Sequence, residues 1–211
     1  MTAERRNPYE ALKQAILSKE LEPGQALVEA GLAKWLNVSR TPVREALSRL
    51  EQDGLIVRGE RGLVVRQRSA EEILDIYEAR IAIEGTVGRT AADRRTEHDL
   101  RALRRMVEQA SRVSDDDDAR MENNKHFHRA MWHACHNEAL IDLLERLNLH
   151  LARYPATTLS YPGRWEKAAD EHAALVQAVE DRDRDLAHEI SISHFTEARD
   201  IRIKLWDDND V

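Results

Sequence analysis

The chain has 211 residues, with 32 lysines and arginines, 39 aspartates and glutamates, and one cysteine. A single cysteine cannot pair within the chain, which excludes a disulfide-stapled scaffold. No run approaches the roughly 18 uncharged apolar residues of a transmembrane helix, and the polar start MTAERRNPYE predicts no secretory signal. We therefore expect a cytoplasmic protein without membrane attachment. Charged residues make up 34% and aromatic residues 5%, which together with helical periodicity favours a mainly α fold.

The charge is unevenly distributed along the chain. Residues 1–68 hold 12 basic and 9 acidic side chains, a balance of +3, whereas residues 69–211 carry a balance of −10. A basic first third followed by an acidic body predicts two domains, 1–68 and 69–211, with different partners. Chance variation among solvated faces is the alternative that charge alone leaves open.

Three helices and a hairpin are predicted in the first third. The first helix ends before the Pro23–Gly24 turn, and a second helix covers about residues 29–36. Ser39 caps a third helix, whose apolar side chains recur at i, i+3, i+4 and i+7. Two β-branched runs at 55–57 and 63–65 flank a glycine-containing turn. This order of elements predicts a winged helix-turn-helix domain.

The third helix carries candidate DNA-contacting side chains at its start. Arg40 and Arg44 are four residues apart and share one face, with Thr41 beside them. The helix N-terminus can hold a phosphate, and arginine can bridge guanine O6 and N7 in the major groove. Arg61 and Gly62 lie at the predicted wing tip, where the backbone can approach the minor groove. A solvated helix face is the alternative, but the order of elements favours binding to double-stranded DNA.

The first third resembles the DNA-binding domain of the GntR family of bacterial transcription regulators. The resemblance rests on LEPGQALVEAGLAKWLNVSRTPVREALSRLEQDGLI and RGERGLVV, and its most specific segment is SRTPVREAL. Some relatives have a DNA-contacting arginine early in the second helix, where this chain has Ala30. The resemblance implies operator contacts by four residues of the third helix and by the wing glycine, namely Ser39, Arg40, Thr41, Arg44 and Gly62.

Six further helices with short connections are predicted after the hairpin. The first of them begins at a capping box formed by Ser69 and Glu72. Six helices in this arrangement predict an all-α, bundle-like domain. The remaining five helices cover about residues 97–113, 118–135, 138–153, 163–180 and 183–206.

Four side chains of this domain have spacings that suit a metal site. Asn124 and His128 are i and i+4, so they project from one helix face. His172 lies 10 residues before a turn at residue 182 and His194 lies 12 residues after it. The two histidines are then about 15 and 18 Å from the turn, nearly at the same height in an antiparallel hairpin. Three imidazoles and one amide oxygen could therefore converge inside the bundle. The other six histidines are expected on the surface or on amphipathic faces.

The C-terminal part resembles the FCD effector domain of FadR-type GntR regulators, in its six-helix, VanR-like form. The resemblance rests on YEARIAIEG, NKHFHRAMW and an EH pair followed 22 residues later by a histidine. Metal-binding relatives hold a divalent ion with three histidines and an aspartate that lies four residues before the first of them. Here Asn124 occupies the aspartate position. The resemblance implies a divalent metal, zinc with nickel or manganese as alternatives, held by Asn124, His128, His172 and His194.

The asparagine changes the charge of this ligand set. Because Asn124 is uncharged, we expect weaker metal binding than with aspartate and a larger role for an anionic ligand. We hypothesise that a small carboxylate effector completes the coordination of the metal, aided by Arg80 on the first helix of the domain. An ion pair with Glu84, one turn away, is the alternative role for this arginine.

Together these features predict a ligand-responsive transcription regulator that is not an enzyme. It would bind a palindromic operator as a homodimer, and the family resemblance favours a repressor of a catabolic operon. A metal-dependent hydrolase is one alternative, because three histidine ligands with an open position can activate water. The chain has no HExxH or GxSxG motif, and Glu171 is expected on a different helix face from His172. An architectural DNA-binding protein with a vestigial pocket is the other alternative.

Overall fold

The computed structural model describes residues 7–60, 62–113, 116–151 and 158–207. The chain divides into one unit of residues 1–71 with 148–153 and another of residues 72–147 with 154–211. Within the described ranges, no helix combines the length and the apolar character that crossing a membrane requires.

The first unit contains the three helices and the hairpin that the sequence predicts. The strands are antiparallel, with Gly59 opposite Gly62 at the turn. Ala26 forms an isolated bridge to Val64, so the segment before the second helix extends the hairpin on one side. The elements are α1 Pro8–Leu17, α2 Glu29–Leu36, α3 Arg40–Gln52, β1 Ile56–Gly59 and β2 Gly62–Val65.

The core of the first unit is built on the apolar face of α3. Its inward side chains are at most 3% exposed and pack with the apolar faces of α1 and the hairpin. The connection from α2 to α3 is short because Asn37 adopts a left-handed conformation, with φ 53° and ψ 48°. This geometry places the start of α3 at the surface while its centre is buried. The inward side chains of α3 are those with helical spacing, Val43, Ala46, Leu47 and Leu50.

In the described part of the chain six helices follow the hairpin, which confirms the expected mainly α fold. The helix α5 ends three residues before the predicted end, because the chain turns at residues 111–112. Thr96 and Asp99 form a capping box at its start. A 3₁₀ turn, Thr158–Ser160, precedes the fifth of these helices. Their bounds are α4 Ala70–Arg94, α5 Glu97–Ala110, α6 Asp117–Ala134, α7 Glu138–Leu151, α8 Arg164–Glu180 and α9 Arg184–Asp207.

Helices α4 and α9 approach each other closely at two glycines. A Cβ atom at Gly88 would lie 2.6 Å from the carbonyl oxygen of Ala187, which belongs to the backbone of α9. A Cβ atom at Gly85 would lie 2.8 Å from the Ile192 side chain. Both distances are shorter than van der Waals contact allows, so the absence of a side chain permits this helix spacing.

Candidate metal centre and nucleic-acid interface

The start of α3 presents the four predicted DNA-contacting side chains to solvent. Ser39, Arg40, Thr41 and Arg44 are all exposed. Ser39 is the N-cap residue, with φ −73° and ψ 168°, but its side chain makes no capping hydrogen bond. The first backbone N–H groups of α3 therefore lack a side-chain acceptor from the cap, and an anion such as a DNA phosphate can take that place.

Arg44 is held by an acidic residue of the neighbouring helix. Its Nε donates to Glu29 Oε1 at 3.1 Å and its Nη2 donates to Glu29 Oε2 at 3.0 Å, a two-pronged ion pair. The hydrogen bond from Arg44 lowers the pKa of the Glu29 carboxyl, and the charge of Arg40 acts in the same direction. Glu29 lies in the first turn of α2, and the sequence analysis missed it because periodicity within a helix does not reveal which residues of two crossing helices meet.

The wing has an open backbone at its tip. Gly62 is exposed, has φ +119°, and has no atom within 4 Å of the position that a Cβ would occupy. A left-handed φ of this kind favours glycine. The other predicted wing contact, Arg61, lies outside the described residues. Backbone atoms of the wing at Gly62 are thus sterically accessible to a partner.

Three histidines from three helices converge inside the second unit. His128 of α6, His172 of α8 and His194 of α9 are 6%, 3% and 6% exposed. Their ring centroids are 4.9 to 5.1 Å apart, and one ring nitrogen from each lies within 4.8 Å of the other two. Phe127 stacks on the His172 ring at a centroid distance of 3.8 Å, which restrains the plane of that imidazole. The structure thus brings together the imidazoles that the spacing singled out.

These imidazoles are neutral at physiological pH. Burial, together with the charges of Arg164 and Arg80, lowers the pKa of His194 to about 3. Burial also holds the pKa of His128 and of His172 well below the usual value, with neighbouring histidines and arginines adding to the effect. A neutral imidazole keeps a lone pair on one ring nitrogen, which is the form that a metal ion binds.

Two buried atoms of the cluster, Asn124 Oδ1 and His172 Nε2, have no hydrogen-bond partner among the residues that the structure describes. Because buried polar atoms are normally paired, such atoms call for an explanation. Both are atoms that a divalent cation accepts as ligands. Asn124, His128 and His194 also line one cavity of about 70 Å³. Three imidazole nitrogens and one amide oxygen therefore fit a divalent metal such as zinc.

Glu171 and Arg164 contact His194 on the side of the ring that carries Nδ1. His194 Nδ1 lies 2.6 Å from Glu171 Oε2 and 3.2 Å from Arg164 Nη2, and Arg164 Nη1 donates to Glu171 at 2.9 Å. When Nδ1 carries the proton and donates it to the carboxylate, the lone pair is on Nε2. Carboxylates orient metal-binding histidines in this way. Glu171 was expected only on a different helix face from His172, and its contact with His194 of α9 is not apparent from the sequence.

Arg80 of α4 reaches the same cavity as the histidines. Its Nε donates to Glu84 Oε1 at 3.2 Å, and its guanidinium lies 4.5 Å from the centroid of the Phe195 ring. Glu84 is 3% exposed and also accepts a hydrogen bond from Trp132 Nε1 at 3.0 Å. Burial raises the pKa of this carboxyl, whereas Arg80 and Trp132 act in the opposite direction. The ion pair that the sequence left as an alternative therefore exists, and it holds Arg80 in the cavity wall.

The sequence matches two protein families. Residues 5–65 match the bacterial regulatory proteins of the gntR family, and residues 75–197 match the FCD domain. The first range includes the exposed start of α3, and the second includes the histidine cluster, Asn124 and Arg80.

Known proteins of similar sequence and structure are transcription regulators. An uncharacterized HTH-type transcriptional regulator of Bacillus subtilis (strain 168), YdhC, is 30% identical over 195 residues, which are 89% of this chain and 85% of that protein. A protein of Paenarthrobacter nicotinovorans named "Probable D-xylose utilization operon transcriptional repressor" is 30% identical over 183 residues, which are 85% and 80% of the two chains. The crystal structure of a GntR family regulator from Pseudomonas syringae pv. tomato str. DC3000 has a TM-score of 0.58 and 27% identity, over 98% of this chain and 87% of that one.

Proposed function

The chain belongs to the GntR family of bacterial regulatory proteins and carries an FCD domain, and we propose that it represses a catabolic operon in response to a small carboxylate. In this proposal residues 1–68 bind DNA, and residues 69–211 bind the effector and form the homodimer. The domains and relatives are those of DNA-binding regulators and not of enzymes, so the hydrolase alternative is set aside.

One observation carries the metal part of the proposal, the convergence of three neutral, buried imidazoles beside an unpaired amide oxygen. Asn124, His128, His172 and His194 would hold the ion, zinc with nickel or manganese as alternatives. A bound divalent cation would supply open coordination positions for an anion. Because all four protein ligands are uncharged, an external anion bound to the cation would be favoured.

The cavity favours a small carboxylate as that partner. Its volume of about 70 Å³ admits only a few atoms beside the ligands, and Arg80 and Arg164 form part of its wall. Arginine donors match a carboxylate with two N–H groups. The carboxylate of the effector would therefore enter the cavity, where the positively charged wall favours it.

The proposed regulation follows from a difference in affinity. An effector changes DNA affinity only as far as it prefers one arrangement of the paired DNA-binding domains over another. A homodimer recognises two half-sites, so the operator is a palindrome. We infer that the carboxylate favours the arrangement that does not fit the operator, which relieves repression. Binding to chromosomal DNA implies a cytoplasmic location.

Calorimetric titration of the chelator-treated full chain with Zn²⁺ tests the metal site. We expect the wild-type chain to bind one ion and His128→Ala to lose at least tenfold in affinity. His126→Ala is the matched control, because it removes an imidazole from the same helix. The imidazole of His126 is exposed and pairs with Glu122. No binding by the wild-type chain contradicts the site, and equal affinity of the two variants contradicts the ligand assignment.

Sequencing of the genomic fragments that the purified chain retains tests the DNA part. We expect a few palindromic sites beside genes of metabolism, and we expect the metabolites of those pathways to include the carboxylate that releases the DNA. Retention of fragments without any enriched sequence contradicts a site-specific repressor.

A further inference from the structure

An acidic side chain lies on the surface that α3 presents to DNA. The carboxylate of Glu29 pairs with Arg44, and the side chains are 36% and 69% exposed. Duplex DNA attracts proteins mainly through its phosphates, and each cation that neutralises a phosphate releases counterions. A carboxylate at this position opposes that attraction, so the DNA-binding function alone does not account for it.

The geometry of the pair separates the charge of Arg44 from its hydrogen-bonding capacity. Glu29 engages Nε and Nη2 of Arg44, and a guanidinium carries five N–H donors. The hydrogens of Nη1 and the second hydrogen of Nη2 are left for another acceptor. The pair as a whole is neutral, yet it still offers donors in a fixed orientation.

The two kinds of DNA contact depend on different properties of the arginine. Attraction to phosphates depends on net charge and carries no sequence information. A hydrogen bond to a guanine edge depends on oriented donors, and the acceptors O6 and N7 are uncharged. Neutralising Arg44 while holding its donors in place therefore weakens the first kind of contact more than the second.

We propose that Glu29 is a specificity-determining residue, which lowers the affinity of Arg44 for DNA phosphates and leaves its donors free for base edges. The position of Arg40 fits this division of roles, because it is exposed in the first turn of α3 and only its longer-range charge acts on Glu29. The charge of Arg40 remains available to the DNA phosphates, whereas the charge of Arg44 is neutralised by Glu29. The proposal rests on the DNA contact proposed for Arg44.

The test compares Glu29→Gln with the wild-type full chain on a duplex of random sequence and on an operator duplex recovered from genomic fragments. Glutamine keeps the size of the side chain and removes its charge. Binding is measured over a range of salt concentrations. We expect the variant to bind random duplex more tightly at low salt, and its plot of log K against log salt to be steeper by about 0.9. That slope is an extra loss of about eightfold per decade of salt, and the ratio of operator to random affinity falls.

Two further comparisons keep the test specific. Glu20→Gln removes the same charge from an exposed position outside α2 and α3, and it should leave the salt slope near the wild-type value. In an Arg44→Ala background Glu29→Gln should no longer steepen the salt slope, because no screened cation is left to release.

Each contrary result has a distinct meaning. An unchanged salt slope for Glu29→Gln, or a change that persists without Arg44, overturns the role of Glu29. Weaker operator binding with unchanged random binding also overturns it, because Glu29 would then contact a base directly. If the wild-type chain binds neither duplex, the DNA contact proposed for Arg44 is wrong, and the role of Glu29 that rests on it is wrong as well.

Discussion

Arg95 and Arg182 form a reciprocal pair of helix caps: Arg95 binds the carboxyl end of α8, and Arg182 binds the carboxyl end of α4. Arg95 follows α4, and its side chain donates to the carbonyl oxygens of Val179 and Glu180 at the end of α8, at 3.4 and 2.9 Å. Arg182 follows α8 and donates to the carbonyl oxygen of Asp93 at the end of α4, at 2.8 Å. Carbonyl groups at helix ends lack partners within the helix, so each arginine satisfies acceptors that its partner helix cannot.

Removal of the Arg182 side chain should destabilise the second unit. Arg182→Ala loses charged hydrogen bonds to carbonyl oxygens, at a cost of about 1–3 kcal/mol in the free energy of unfolding. Arg182 also has φ 57°, so alanine keeps the backbone strain that arginine already carries, whereas glycine relieves it. Denaturant unfolding should therefore rank wild type above Arg182→Gly and Arg182→Gly above Arg182→Ala. An alanine variant as stable as the wild type would show that the caps contribute nothing.

Asn124→Asp should tighten metal binding by about tenfold or more. The new carboxylate adds a negative charge to an otherwise neutral ligand set, and it should weaken folding without metal because a buried charge is costly. Calorimetry with Zn²⁺ and thermal unfolding with and without the ion measure the two effects. In a His128→Ala background the gain should be much smaller. Unchanged affinity would mean that residue 124 does not coordinate the ion.

Arg80→Ala should separate effector binding from metal binding. The arginine lines the cavity but its guanidinium is not a metal ligand, so Zn²⁺ affinity should stay within a few-fold of the wild-type value. Release of operator DNA by the effector should need about tenfold more of it, since a charged hydrogen bond contributes about 1.5–3 kcal/mol. Arg89→Ala is the control on the same helix, because Arg89 pairs with Asp185 at the surface. Equal responses of both variants would exclude Arg80 from the effector site.

Arg40→Ala should weaken operator binding by about tenfold or more and leave the fold intact. Arg40 is exposed and contributes nothing to the core, and the loss of its charged hydrogen bond to a DNA phosphate costs about 1.5–3 kcal/mol. Band-shift titration measures the loss, and circular dichroism measures the fold. Arg101→Ala removes the same charge from the exposed side of α5 and should bind the operator normally. Full specific affinity without the Arg40 side chain would contradict the proposed DNA surface.

Tyr9 should make the stability of the first unit depend on pH in the alkaline range. Burial and the hydrogen bond that Tyr9 donates to Asp53 at 2.6 Å raise its pKa from 10.0 to about 12. The folded state then keeps a proton that the unfolded state loses. The contribution to stability is complete below pH 10 and disappears as the pH rises to about 12.

The absorbance of tyrosinate, measured as wild type minus Tyr9→Phe, reports this ionisation. We expect a midpoint near 12, and the fall in stability across the window should be smaller in the phenylalanine variant. A difference midpoint at the ordinary value of about 10 would mean that the contact with Asp53 does not persist in solution.

The helices and the histidine cluster could be predicted from the sequence because both depend on regular geometry. A constant rise per residue converts the spacing of His172 and His194 from their turn into height, and the i, i+4 relation puts Asn124 and His128 on one face. Neither step requires knowledge of how the helices are rotated against one another.

The contacts around the cluster depend on that rotation, and the sequence did not reveal them. Glu171 reaches His194 because α9 packs against the face of α8 that carries this glutamate, and Glu29 reaches Arg44 because α2 crosses α3 at that height. Arg164 is a charged residue that is only 2% exposed, and composition alone would place it at the surface. Its burial depends on acceptors supplied by two helices.

The glycine contact between α4 and α9 has a consequence for ligand choice. Arg80 is carried by α4 and His194 by α9. At Gly88 the backbone of α4 lies directly against the Ser191 side chain and the Ala187 backbone of α9. Closely packed interiors deform little, so rotation of side chains cannot change the spacing of these helices. A molecule that contacts both the arginine and an ion held by the histidine must fit this span. If the effector is the proposed carboxylate, we therefore expect the protein to discriminate among acids by their length as well as by their charge.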